Sequence, residues 1–220
     1  MINKIACIVH MYPFTDGEKT LGFAGGEMYL HRLNKVLVDY GHQVDVFVVK
    51  HPTWPACTQD RPEAWSFEGI SVKMLESHKD FPTNYDKYIT HLCWAMDCIE
   101  MCKRINKECY FIVHNTYDYP CVTDNPSVHV IYNSNNSKRM TKFQKNNGFV
   151  LPPLLDTKFW KVETNEAYIT FINPHPKKGG QICLEVARRM PMHKFLCVSA
   201  GYYEDECVKV FPPNVTVIPQ

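Results

Sequence analysis

The chain has 220 residues, 45% of them apolar and 21% charged, and its 24 Lys and Arg against 23 Asp and Glu leave a net charge of +1. This is the composition of a folded soluble protein, and no apolar run approaches the roughly 20 residues that a bilayer-spanning helix needs. The near-balance of charge supplies no global field toward nucleic acid or an anionic membrane, so any anion binding has to be local.

Lys4 to His10 reads as a buried strand, too short an apolar stretch for a secretory signal, and it runs into the loop Met11 to Phe23 with Pro13, Gly17 and Gly22. A helix opens at Gly25-Gly26. Its apolar residues Tyr29, Leu33, Val36, Leu37 and Tyr40 recur at helical spacing, and Gly41 with His42 ends it. Val44 to Val49 is a second strand, completing the strand, helix, strand unit from which parallel sheets are built. Residues 50 to 65, with Pro52, Pro55 and Pro62, read as loop, and Phe67 to Met74 as a turn entering a strand. The alternation then resumes: strand Tyr85 to His91, helix Trp94 to Asn106, strand Cys109 to His114 and strand Val128 to Tyr132. Asn133-Ser134-Asn135 supplies capping side chains for a basic helix from Ser137 to Lys145, and Phe149 to Leu151 is a short strand. The face bearing Lys138, Arg139, Lys142 and Lys145 reads as a solvated helix surface rather than a nucleic-acid or lipid-headgroup site.

Strands alternating with helices over residues 1–152 predict an α/β, Rossmann-like doubly wound parallel sheet. Pro152-Pro153 breaks the pattern, and 153–165 reads as a linker. Residues 166–220 repeat the alternation as strand 168–173, helix 179–190, strand 195–199, an acidic helix near Glu204 to Val208 and strand Val215 to Ile218. At about 55 residues this second Rossmann-like unit is incomplete and too small to be comfortable alone. Its first turn, Asn173-Pro174-His175-Pro176-Lys177-Lys178-Gly179-Gly180, has the makings of a phosphate site: glycines admit a ligand to the N–H groups of a helix start, and lysines add full charge.

The ten cysteines contain no Cys-x-x-Cys pair, and several fall on apolar faces of predicted elements, which points to buried thiols in a reducing compartment and hence the cytoplasm. Cys98, Cys102, Cys93 and His91 are close enough in sequence to suggest a metal site, but helical spacing favours core packing. The sequons at Asn135 and Asn214 have no consequence without secretion.

In order along the chain, the sequence resembles the retaining glycosyltransferases of family four, which have the GT-B fold of two facing Rossmann-like domains. The resemblance is carried by Gly25-Gly26-Glu27, by Gly41-His42-Gln43-Val44, by the strand ending in His91, and by Ile112-Val113-His114-Asn115-Thr116. It continues through Ile131-Tyr132-Asn133-Ser134, Leu151-Pro152-Pro153 with Asp156 and Phe159, and the Lys178-Gly179 turn. Residues 1–152 would then be the acceptor-side domain and 166–220 part of the donor-nucleotide domain.

The resemblance implies a nucleotide sugar as substrate, with no further cofactor and no metal. The donor would be bound by Gly25, Gly26, Lys177, Lys178 and Gly179, whose cations and helix N-termini offset charge that develops on the departing diphosphate. His91 would face the transferred sugar as the catalytic histidine, and His114, Asn133 and Ser134 would contact acceptor or sugar. The plainer reading of the same residues is a tight turn at Gly25-Gly26, a surface lysine pair and two strand-capping histidines. The chain departs from the family at Asn173-Pro174, where glycine then arginine is usual, and it lacks the family's paired glutamates, since Glu204, Asp205 and Glu206 come too early. A short or truncated C-terminal domain is therefore expected. A second class of reading keeps the fold as a non-catalytic binding module, or as one subunit of a split transferase that associates with itself or a partner through the open sheet edge.

Overall fold

The computed structural model describes residues 1–15, 20–21, 24–52, 61–115, 117, 119–123, 125–143, 148–155, 161, 163, 166–199 and 208–218. The chain divides into two compact units, Met1–Asp156 and Thr157–Gln220. No described helix is long and apolar enough to cross a membrane.

The first unit is built on an eight-stranded sheet. In chain order its strands are β1 (Lys4–Val9), β4 (Gln43–Val49), β5 (Ala64–Phe67), β6 (Ile70–Leu75), β7 (Lys87–His91), β8 (Glu108–Val113), β9 (Val128–Tyr132) and β10 (Phe149–Val150). The two-residue strands β2 (Phe14–Thr15) and β3 (Thr20–Leu21) pair separately in the first loop. The spatial order is β10-β9-β8-β7-β1-β4-β6-β5, parallel throughout except for β5, which returns antiparallel on β6. The sequence reads Phe67 to Met74 as a turn entering a strand, which β6 is, but reads residues 50 to 65 as loop and so misses β5; the observed hairpin turns at Glu68-Gly69, both with positive φ.

Period-two alternation divides the strands between two cores. Ala6, Ile8, Phe47, Val49, Tyr88, Phe111 and Val130 pack on one face with Cys98, Ile99 and Cys102 of helix α2 (Ala95–Arg104). Ile5, Cys7, Val9, Val46, Ile89 and Ile112 pack on the other with Tyr29, Leu30 and Leu33 of helix α1 (Gly25–Asp39). Helices on both faces make the sheet doubly wound.

Helix α1 is rotated from its sequence-based face. Val36 and Tyr40 are exposed, whereas Glu27, His31 and Asn34, spaced i, i+4, i+7, are buried. The rotation is stable because the polar groups of its middle turns are satisfied. His31 meets the Tyr12 hydroxyl through Nδ1 at 2.8 Å and Glu68 through Nε2 at 3.0 Å, and Asn34 Oδ1 accepts from the Cys7 thiol at 3.1 Å. At the far side of α1, the Tyr29 hydroxyl donates to the Leu151 carbonyl at 2.8 Å. Tyr29→Phe is expected to cost about 1 kcal/mol in urea unfolding, the usual net worth of such a bond.

The short helices α3 (Pro120–Thr123) and α4 (Asn135–Met140) complete the first unit. The basic helix thus ends earlier than its sequence suggests: Thr141 is already extended, Lys142 lies past the end, and Lys145 falls outside the described residues. The second unit carries a parallel sheet β11 (Ile169–Ile172), β12 (Phe195–Val198), β13 (Val215–Ile218) and helix α5 (Gly180–Arg189). The acidic segment Glu204 to Cys207, Asp156 and Phe159 lie outside the described residues.

Candidate functional site

Strand order reverses where β1 leads to β4 on one side and lies against β7 on the other, and ligands of open α/β sheets bind at the carboxyl ends of strands at such a point. Three histidines converge there. His10 follows β1, His91 ends β7 and His114 follows β8. The His91 ring centroid is 6.1 Å from that of His10 and 5.1 Å from that of His114, and Tyr29 meets His114 edge-on at 5.4 Å.

The start of α1 faces this group. A Cβ added at Gly26 would lie 3.5 Å from His114 and 3.7 Å from His91, so the glycine keeps the helix start close to both rings. Glu27 follows in the first turn, buried, with Oε1 3.8 Å from His10 Nε2. Gly25, by contrast, is exposed, and a Cβ there would meet nothing within 4 Å.

Burial dominates the electrostatics. It lowers His10 to about 4, aided by the positive field of His51, and lowers His114 to about 4. It also drives His91 well below the ordinary histidine value, with His114 and His10 adding to the effect. All three imidazoles are neutral at pH 7, so the 3.8 Å approach of His10 to Glu27 is not an ion pair. Burial raises the Glu27 carboxyl above its usual range. His91 is completely buried, and neither of its ring nitrogens has a hydrogen-bond partner among the described residues; His114 Nε2 likewise has none. A neutral imidazole with both nitrogens unpaired among the described residues is costly to bury.

Sequence singles out His91, His114 and Gly26, which the fold brings together. It misses His10 and Glu27 as members of the group. The position of His10 directly after a strand, and an acid in a helix turn that opens with two glycines, are the signals that could have found them. Asn133 and Ser134 follow β9, on the same sheet edge but two strands from β7, roughly 10 Å by strand spacing. Their side chains cap α4: Ser134 Oγ accepts from Ser137 N–H at 3.1 Å, and Asn133 Oδ1 accepts from Ser137 Oγ at 2.6 Å.

In the second unit, a 3₁₀ turn, Pro176–Lys178, carries both lysines and is capped by Gly179 ahead of α5. The N–H groups of the turn itself, and that of Gly180, are engaged internally. Lys177 N–H donates to His175 Nδ1 at 3.1 Å, those of Lys178 and Gly180 to the His175 carbonyl at 2.9 and 3.2 Å, and that of Gly179 to the Pro176 carbonyl at 3.0 Å. Buried His175 thus caps the turn, which leaves the exposed side chains of Lys177 and Lys178 as its outward cations. Asn173 occupies left-handed space at φ 65°, which glycine reaches without strain and asparagine tolerates; its Oδ1 accepts from His175 N–H at 3.1 Å.

No family model and no curated protein matches the chain. Among solved structures, Anabaena HepE in complex with UDP-glucose matches with a TM-score of 0.67 at 13% identity, over 99% of this chain and 69% of that one. Arabidopsis thaliana UGT89C1 complexed with quercetin matches with a TM-score of 0.53 at 11% identity, over 99% and 69%. The same protein complexed with UDP-L-rhamnose gives 0.53 at 12%, over 99% and 70%. At such identities the likeness speaks to architecture alone: α/β with a parallel-dominated central sheet, Rossmann-like as in these neighbours.

Proposed function

We propose that the chain is a nucleotide-sugar-dependent glycosyltransferase, related to family four, that moves a hexose with retention to an acceptor held by the first unit. The observation that carries this reading is His91, neutral, buried and without a partner at either ring nitrogen among the described residues, at the switch point of a fold shared with proteins solved holding UDP-glucose and UDP-L-rhamnose. A neutral imidazole can donate to or accept from a sugar hydroxyl without adding charge. Gly25 and Gly26 open the helix start to the sugar or phosphate, and Lys177 and Lys178 beside Gly179 offset charge on the leaving diphosphate. His114 contributes its idle Nε2 to sugar or acceptor, with Asn133 and Ser134 farther along the same edge. The nucleotide sugar is consumed as substrate, and the reading invokes no resident cofactor. Buried thiols at Cys7, Cys98, Cys102, Cys109 and Cys197 suit a reducing compartment such as the cytoplasm.

A panel of nucleotide sugars followed by ligand-observed NMR tests this. Saturable binding of one donor, weakened in Lys178→Ala, with slow release of free nucleotide, is expected. Removing one substrate hydrogen bond in His91→Ala should lower kcat/KM about tenfold. No binding across the panel would end the reading, and a folded His91→Ala that turns over at the wild-type rate would remove His91 from it.

One observation favours the alternative of a binding module or split-transferase subunit. The second unit exposes a run of large apolar side chains, among them Ile172 at 68% and Ile182 at 71%, with Ile169, Val186, Val217 and Ile218. That alternative expects a dimer or heteromer; a monomer by light scattering at high concentration counts against it.

A further inference from the structure

His10, Glu27 and His91 come from three elements, the end of β1, the first turn of α1 and the end of β7, yet one potential donor atom from each lies within 4.8 Å of the others. All three side chains are buried. This places a carboxylate in the interior facing two neutral imidazoles, at a distance from His10, 3.8 Å, too long for a hydrogen bond. A buried carboxylate needs a compensating charge or a proton. His91 has no hydrogen-bond partner for either ring nitrogen among the described residues, so a bound group would supply one. One bound ion would answer both requirements.

We propose that His10, Glu27 and His91 form a binding site for a single divalent transition-metal ion of the zinc class. Two imidazoles and a carboxylate are among the donor sets that zinc accepts in sites with three protein ligands and an open fourth position. Bond lengths of about 2.0–2.2 Å put tetrahedral donors roughly 3.4 Å apart. The 3.8 Å between His10 Nε2 and Glu27 Oε1 is within a few tenths of an ångström of that, and the 4.8 Å limit on the set requires only side-chain adjustment. Three rigid elements hold the donors, and Gly26 keeps the space beside His91 and His114 clear. One ring nitrogen of His91 serves the ion; the other carries its proton and stays available to a ligand. The sequence alone implies no metal here, because the donors are spread over residues 10, 27 and 91 with no compact spacing.

A second three-donor cluster, Cys98, Cys102 and Cys109, differs in kind. Its thiols hydrogen-bond one another within the α2-side core, so its donors are already served.

Chelator-treated protein titrated with Zn²⁺ against a chromogenic chelator should take up one equivalent. Glu27→Gln, which preserves shape, and His91→Ala should each weaken uptake by more than the ~10–100-fold that changes beyond the ligands themselves cost. Cys102→Ser should leave it unchanged. Co²⁺ in place of Zn²⁺ should give a visible spectrum without the near-ultraviolet sulfur-to-cobalt band, a readout on wild-type protein that stands even if a variant misfolds. Absence of stoichiometric uptake, uptake untouched in Glu27→Gln, or a thiolate band that disappears in Cys102→Ser would each overturn the assignment. No nucleotide sugar is present in these measurements, so their outcome is separate from that of the transferase reading.

Discussion

Acidifying the metal-free protein from pH 7 to pH 4 is expected to lower its unfolding free energy by about 5 kcal/mol, enough to unfold a typical domain. Burial holds His10 and His114 at about 4 in the folded chain, against an ordinary 6.5 once unfolded. Between those values the unfolded chain binds protons that the folded chain refuses. Stability is therefore complete above pH 6.5 and is lost as pH falls toward 4. At 1.36 kcal/mol per tenfold in proton concentration, His10 contributes about 3 kcal/mol over this range, and less deeply buried His114 somewhat less. His91 acts in the same direction. Glu27 opposes them: its raised value means that the folded chain gains a proton first, so acid relieves part of its burial cost. Urea unfolding at a series of pH values, with chelator throughout, reads the sum. His114→Gln, unable to take the proton, should lose about 2 kcal/mol less than wild type over the same range. A stability that stays flat from pH 7 to 4.5 would show that these imidazoles are not buried as described.

Gly180→Ala is expected to destabilise the second unit by about 3 kcal/mol, the upper range for overpacking. The added carbon would sit 2.1 Å from the Pro174 carbonyl oxygen and 2.5 Å from its carbon. Both are backbone atoms, so no change of rotamer relieves the clash. The backbone at Pro174 is also tethered on either side, by Asn173 N–H to the Val198 carbonyl at 2.9 Å and by His175 N–H to Asn173 Oδ1 at 3.1 Å. Either α5 moves off the end of β11 or that tether breaks. Gly25→Ala, in open space, is the matched control and should be neutral or slightly stabilising through helix propensity. Hydrogen exchange over residues 180–189 should rise in Gly180→Ala and not in Gly25→Ala; equal exchange in the two would refute the steric account.

The contrast between Gly25 and Gly180 also bears on what can be read from sequence. Both are first residues of helices in glycine-bearing turns, and only the fold distinguishes the one that touches backbone. Parallel strands are legible because β1, β4, β7, β8 and β9 are buried on both faces and read as near-continuous apolar runs. Helix α1 is legible in extent but not in rotation. In its buried row of Glu27, His31 and Asn34, the last two are satisfied by Tyr12, Glu68 and Cys7, partners distant in sequence that a count of apolar residues cannot see. The site follows the same division. His91 and His114 are legible as residues at strand ends, whereas membership of His10 and Glu27 depends on β1 lying beside β7, a neighbour 82 residues away at the Thr90 to Ile8 contact.

That pairing has a consequence for the order in which the protein can form on the ribosome. β1 has its β4 partner available once residue 49 has emerged, but its other edge waits for β7. At 5–20 residues per second, the interval between residues 49 and 91 lasts roughly 2–8 s. During it the most buried strand of the finished sheet has one side of its backbone unpaired. The candidate site cannot assemble before that interval ends, so slow synthesis between residues 50 and 87 would prolong exposure of an apolar edge rather than give the nascent chain useful time to fold.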